Sequence, residues 1–278
     1  MRARLCGPCE AARRRQRRRQ PEAARDEKSR CIIAFVIAWH ATNLTTGRDA
    51  DARGEAVLPS FSTIKVLLGA AFWRAVAAGE LDEAQPHTFA PGEAVGGAGV
   101  LRGFRHPARL ALADCLHLAL VVSDNDATNA VIAAVGFGRV NALAAELGLA
   151  HSALRRQMMD WPAAAAGRDN LTCAADLAEL LELLVAGDPR IGAAACERVL
   201  ASLALQEHRD GLPRGLPEGA TYAGKPGDDL PDGRFCHDCG VVRTPAGETL
   251  VLAVMSDGEG GYDAMAAAGR RLYDELTA

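Results

Sequence analysis

The order of the hydrophobic patterns constrains this chain more than any other feature. Two strand-like runs open its folded body, a long helical block follows, and three strand-like runs and a last helix close it. Residues 32–58 read as a hairpin around the turn "TTGRD". "TYAGKPG", "RFCHDCGVVRT" and "ETLVLAVMSDG" read as three more strands, joined by turns around Asp228–Gly233 and Pro245–Gly247, and a helix from about Gly260 to Leu276 ends the chain. Strands at both ends of a chain must combine into one sheet, with the intervening helices inserted between them. The expected fold is therefore an α/β sandwich lobe, a five-stranded antiparallel sheet flanked by helices, beside an inserted all-α lobe. Residues 31–58 plus 207–278 would form the first lobe and 59–206 the second, with 1–30 as a separate extension.

Within the inserted block, apolar positions recur at helical spacing over Ser62–Gly79, Leu110–Val122, Ala127–Val135, Gly138–Gly148, Ala174–Ala186 and Ile191–Leu205. A loop rich in Gly and Pro, Gln85–Pro107, and a poorly periodic surface loop, 151–170, separate them. Hydrophobic residues make up 49% of the 278, much of it Ala, and aromatics only 5%, a balance that favours closely packed helices. No apolar run approaches the roughly 18–20 residues that cross a bilayer, so no membrane span is expected. A cleft between two lobes is a usual place for a site.

Charge is unevenly spread. Residues 1–30 hold eleven Arg/Lys and four Asp/Glu, and since the whole chain is −4, the remainder carries −11. An acidic body argues against nucleic acid as the main partner. The run "RRRQRRRQ", Arg13 to Gln20, could hold RNA or an anionic surface weakly, but no aromatic residue interleaves its arginines, and a solvated, disordered tail is the favoured reading. Together with "CIIAFVIAW" the run imitates an export signal, yet "AWHA" lacks a small-x-small cleavage site and leads straight into a strand and turn. A cytoplasmic address is expected, with export to the periplasm or beyond as the alternative, and a monomer is expected. The pairs "CGPC" at Cys6–Cys9 and "CHDC" at Cys236–Cys239 suit neither a dithiol centre, which needs a strand before the first Cys, nor a shared zinc site. No metal and no cofactor is expected.

Lysine is where the chemistry shows. It occurs only at Lys28, Lys65 and Lys225 among 31 basic residues. A chain that uses Arg for mere charge has placed Lys65 in the middle of an apolar helical run, and a buried Lys, unlike Arg, can lose its proton. In "FSTIK", Ser62 and Lys65 stand three apart on a helical pattern, about 5–6 Å between side chains. A serine hydroxyl needs a neighbouring base to become a nucleophile, and a Lys depressed by burial and by a second positive charge can be that base. An N-capping serine beside a snorkelling lysine is the plain alternative. In "VVSDND", Asp124 would cap the next helix, leaving Ser123 and Asn125 to face the cleft. In "AGKPGDD", Lys225 sits on a strand, where an ordinary edge lysine is the plain alternative.

In this order and on these elements, the three motifs resemble those of the penicilloyl-serine transferases, most closely the class A β-lactamases and their relatives. The resemblance runs from about Ile32 to the C-terminus and includes "GGAG", "SDNDATN" and "GRDNLT". It implies that Ser62 is acylated and Lys65 serves as its base. Ser123 would pass a proton to the departing nitrogen, with Lys225 supplying positive potential, and Asn125 would orient the substrate amide. Ser62 N–H and Asp228 N–H, beside Gly227, would form the oxyanion hole. Asp124 and Asp169 would be structural, Asp169 paired with Arg155 or Arg156. The implied partner is a small-molecule or peptide acyl substrate.

Two departures stand out. Class A β-lactamases carry a Glu in the long loop that activates the deacylating water, and here no Glu lies between Glu146 and Glu179. Asp160 could reach inward in its place or could only fix the loop. Pro226 stands where the family has a hydroxyl for a substrate carboxylate, and proline offers neither hydroxyl nor N–H. His237 and Asp238 on the next strand could compensate, although a histidine at an edge beside a turn is more often a bystander. The expectation is an active-site-serine hydrolase of β-lactamase type. The alternatives are a D-alanyl peptidase, transpeptidase or esterase on the same fold, or a covalent β-lactam receptor that does not turn over.

Overall fold

Sheet order is what brings the two ends of the chain together. The structure, a computed structural model, describes residues 36–229, 234–258 and 260–278. The basic extension 1–30, the "CGPC" pair, the first residues of the opening strand and the middle of the Asp228–Gly233 turn lie outside the described residues. β1 (Val36–Asn43) pairs with β2 (Asp49–Ala52) on one side and, along its whole length, with the far end of the chain on the other. With β7 (Thr221–Asp228), β8 (Phe235–Arg243) and β9 (Thr249–Asp257) they form a five-stranded antiparallel sheet in the order β2-β1-β9-β8-β7.

Both faces of this sheet are covered, which explains why β9 reads as a nearly continuous apolar run and why β8 is buried along most of its length. On one face Cys239, Val241, Val251 and Met255 share a core with Phe72, Leu116 and Leu180 of the helical block. On the other, Cys236, Val242, Leu252 and Val254 pack on Leu212 of α8 (Leu212–Gly215) and on Met265 and Leu272 of α9 (Gly261–Thr277). Each such side chain contributes about 1.5–3 kcal/mol on full burial. The described residues form one compact unit.

α1 (Lys65–Ala77) is the pivot of the helical block. Ten of its 13 residues are buried, as expected of a helix apolar on all sides. Around it stand α2 (Leu112–Val121), α3 (Asn125–Val135), α4 (Phe137–Leu147), α6 (Ala174–Ala186) and α7 (Ala193–Ala204), the helices expected from periodicity. The helix expected from Ser62 begins as a 3-10 turn, Phe61–Ile64, before α1 proper. α3 starts two residues earlier than its periodicity implies, because the Asp124 side chain accepts from Ala127 N and caps it.

The two loops contain short elements that no period-based reading resolves. Gln85–Pro107 opens with β4 (Pro86–Phe89), which pairs with β5 (Ala108–Ala111), and strands of four residues are too short to show a period. The segment 151–170 holds α5 (Trp161–Ala165), and β3 (Leu58–Pro59) pairs with β6 (Leu171–Thr172) just after it. Cys236 and Cys239 point to opposite faces of β8, one in each core, so "CHDC" is not a juxtaposed dithiol. Among the described residues, no single helix is long and apolar enough to cross a membrane.

Candidate active site

β7, the 3-10 turn, the α2–α3 junction and the 151–170 loop border one cavity of about 570 Å³. Ser62, Asn125, Asp228 and Asp229 line it, with Phe61, Met158, Met159 and Trp161 as its apolar wall. Ser62 is half-buried, and no hydrogen bond engages its hydroxyl among the described residues. The turn that presents it is fastened from three directions. Thr63 Oγ1 donates to Ser60 O at 2.6 Å, Ser60 N donates to Asn170 O at 2.8 Å, and His237 Nε2 meets Pro59 O at 2.9 Å.

Lys65 is fully buried and aimed at the α2–α3 junction. Its Nζ donates to Ser123 O (2.9 Å), Asn125 Oδ1 (3.0 Å) and Ser123 Oγ (3.2 Å), which accounts for all three protons of an ammonium. It does not hydrogen-bond Ser62. Burial, then the positive charge of Lys225, hold the Lys65 amine well below the usual lysine range, and Asp124 opposes them. Lys225 is no edge-strand surface lysine, although β7 is an edge strand: it is fully buried and donates to Pro226 O at 2.8 Å. Burial pushes it down to about 8, with Asp238 as the leading anion working against the shift.

Asn125 is held as firmly as Lys65. Its Nδ2 donates to Gly96 O and its N–H to Ala98 O, which ties the "GGAG" loop across the cavity mouth. Asp124 accepts from Val100 N and Leu101 N as well as from Ala127 N, a structural role.

On β7, Asp229 N donates to Phe235 O, so the alternation of an antiparallel ladder turns the Asp228 N–H away from β8. A Cβ on Gly227 would stand 2.7 Å from Ser62 N. The amides of Ser62 and Asp228 thus border the same cavity, and glycine is what allows the two backbones to approach. Asp228 also accepts from Tyr262 Oη at 2.9 Å.

Three of the four non-glycine residues with positive φ among those described belong to this site: Phe61 (+46°), Ser123 (+57°) and Met159 (+66°). Each costs on the order of 1–3 kcal/mol and persists only where the surroundings over-determine it. No pattern in the sequence reveals this strain.

Other expectations need correction. Asp160 does not reach inward: it is exposed, its side chain caps α5 by accepting from Ala163 N at 3.1 Å, and it does not line the cavity. The wall position is taken by Met158 and Met159. Replacing Asp160 by Ala is expected to cost about 1 kcal/mol of stability through the lost cap and to leave acylation unchanged, as read by denaturant unfolding and a burst assay. His237 is not at an edge but inside β8, 1% exposed. Ser256 N donates to its Nδ1, so Nε2 carries the proton to Pro59 O. Burial pushes this imidazole down to about 4, a neutral bolt behind the nucleophile turn.

Asp169 pairs with Arg156 (2.7 Å) rather than with Arg155. Asn129 was not singled out by the motifs, although it lies four residues after Asn125 on the same helix. Its amide donates to Met158 O and accepts from Met158 N, holding the loop to α3. That i, i+4 spacing is the one signal that could have found it.

A fold of this topology, with a serine on the turn before a buried lysine and a second buried lysine on the facing strand, defines a class. The chain belongs to the Beta-lactamase enzyme family, whose model matches residues 30–276. It is similar to a β-lactamase from Sphaerobacter thermophilus, 29% identical with a TM-score of 0.79, over 88% of this chain and 92% of that one. It is similar to PBP-A, 27% identical with a TM-score of 0.78 over 87% of this chain and 90% of that one, and a mutant of PBP-A is known as an acyl-enzyme complex with penicillin G. Among curated proteins, the β-lactamase regulatory protein BlaB of Streptomyces cacaoi is 29% identical over 84% of this chain and 90% of its own length.

Proposed function

We propose that this protein is an active-site-serine hydrolase of the β-lactamase type that acylates readily on Ser62 and deacylates slowly. The observation that carries this reading is the buried Lys65, depressed by burial and by Lys225, within hydrogen-bond reach of Ser123 Oγ. Neutral Lys65 takes the proton of Ser62 Oγ–H as that oxygen attacks the carbonyl carbon. The developing oxyanion is received by the amides of Ser62 and Asp228, each worth about 10²–10³ in rate. As the C–N bond breaks, Ser123 gives its hydroxyl proton to the departing nitrogen and regains one from Lys65. Asn125 holds the substrate amide and Lys225 the positive potential.

Slow deacylation is supported by what the loop offers the cavity. Met158 and Met159 carry no base, and of the acidic residues at the strand end across the cavity, Asp228 and Asp229, the Asp228 carboxylate is engaged by Tyr262 Oη on α9. Pro226, with neither hydroxyl nor N–H, also offers nothing to a substrate carboxylate there. The same feature supports a second reading, a covalent receptor that stays acylated or a slow acyl transferase acting on D-alanyl peptides or esters. The regulatory role named for the Streptomyces relative and the penicillin adduct of the PBP-A mutant agree with it.

Mixing the protein with a chromogenic cephalosporin is expected to give a burst of about one equivalent of colour and then a slow steady phase. Many rapid turnovers without a burst would contradict slow deacylation, and no colour at all would remove β-lactams from the substrate class. The burst rate should rise with pH as Lys65 loses its proton and fall again above about pH 8 as Lys225 loses its charge. A rate that climbs steadily to pH 10 would contradict the part given to Lys225.

A further inference from the structure

Between Glu93 and Asp114 the chain has three arginines, Arg102, Arg105 and Arg109, and no acidic residue, on a body that is acidic as a whole. All three are exposed, and none of them pairs with a carboxylate among the described residues. Arg102 alone of the three lines the active-site cavity. Its Nε donates to Gly99 O at 3.2 Å, which leaves both terminal nitrogens of the guanidinium without a protein acceptor among the described residues. The carbonyl that holds it is itself fixed. Gly99 has φ +120°, and a Cβ there would stand 2.4–2.6 Å from Asp124, whose carboxylate accepts from Val100 N and Leu101 N. The other arginine lining the cavity, Arg156, is already committed: it pairs with Asp169 at 2.7 Å and lies 5.1 Å over the Trp161 ring.

We propose that Arg102 is a specificity-determining residue that receives a carboxylate on the acyl side of the substrate. The inference rests on the acyl-serine reading above and names a substrate class for it, an acyl donor whose side chain is anionic. Orientation follows from Asn125, which holds the substrate amide. Asn125 N–H donates to Ala98 O and its Nδ2 to Gly96 O, so the substrate beyond that amide runs along the segment 96–99 toward Arg102. The departing nitrogen faces the other way, to Ser123 and β7, where Pro226 gives a carboxylate neither hydroxyl nor N–H. An anionic substrate thus finds its anchor at Arg102 and not on β7.

A guanidinium suits that task, being planar, permanently charged and able to offer two parallel N–H groups to two carboxylate oxygens. Arg105 and Arg109 do not line the cavity, yet they add positive potential to the same segment. That potential offsets, at this rim, the repulsion an acidic body exerts on an arriving anion.

Benzylpenicillin and carbenicillin differ by one carboxylate on the acyl side chain, so the ratio of their acylation rate constants isolates that group. Intact mass followed against time gives both constants for the wild type, Arg102→Gln and Arg105→Gln. The carbenicillin-to-benzylpenicillin ratio is expected to fall by about 2–5-fold in Arg102→Gln, the range of an exposed ion pair, and by less in Arg105→Gln. In the wild type the ratio should also fall when salt is raised to about 0.5 M, and in Arg102→Gln it should respond less. A ratio that Arg102→Gln leaves unchanged, or that Arg105→Gln lowers as much, would overturn the inference. Calorimetric binding of the two penicillins to Ser62→Ala, with and without Arg102→Gln, repeats the comparison where no acylation is needed. If neither compound acylates the wild type, the acyl-serine reading fails, and the binding ratio still decides the part of Arg102. The same 2–5-fold fall there supports it, and an unchanged ratio or no binding of either compound counts against it.

Discussion

Lys65→Arg is expected to fold and to lose acylation of Ser62 by about 10²–10⁴-fold, the usual contribution of a positioned acid or base. Arg can reproduce the positive charge and several of the hydrogen bonds to Ser123 and Asn125, yet it cannot give up a proton. The variant therefore separates charge from basicity. The burial that depresses Lys65 is otherwise a cost, since an ammonium removed from water is destabilising unless paired. Here its acceptors are two neutral side chains and a carbonyl, and the charged group that acts on it most strongly is another cation, Lys225. Such an arrangement makes sense for a group that must be neutral when it acts. Should Lys65→Arg acylate at the wild-type rate, the base would have to be sought elsewhere.

Gly227→Ala is the second large effect. Its new methyl would stand 2.7 Å from Ser62 N, 2.8 Å from Thr63 N and 3.2 Å from Ser60 O, all of them backbone atoms with little freedom to yield. The strand and the nucleophile turn must separate, and the two amides that border the cavity separate with them. The expected result is a loss of about 10²–10³ in the burst rate, comparable to removing one oxyanion donor, with about 1–3 kcal/mol of stability lost to overpacking. The turn is anchored on its other side by His237 and Asn170, so it has little room to retreat. A Gly227→Ala protein with unchanged burst kinetics would mean that the two amides do not act together.

Much of the fold was legible because its signals are periodic. Helices such as α1 and α6 and the long strands β8 and β9 bury whole faces, and burial writes itself into residue order. That the two ends of the chain share one sheet followed from the need to complete it, whereas the pairing of β1 with β9 within it did not. What stayed hidden was local: β4 and β5, too short for a period, and the 3-10 turn under Ser62, set by tertiary anchors from Asn170 and His237. The placement of Lys65 and Lys225 was legible from scarcity, since lysine is otherwise avoided. The outward turn of Asp160 was not, because a carboxylate before "WPAAA" can cap a helix or face a cavity and only the course of the loop decides. His237 and Asp238 looked peripheral because a sheet's strand order, not its sequence, determines which strand is central.

The central claim is that Ser62 becomes covalently acylated with Lys65 as its base. Peptide mapping by mass spectrometry after brief exposure to benzylpenicillin or an activated aryl ester tests it most directly, with Ser62→Ala alongside. The account predicts about one adduct per chain, on the peptide containing Ser62, and none in Ser62→Ala. An adduct that persists in Ser62→Ala, or no adduct with any acyl donor in a folded wild type, would contradict it.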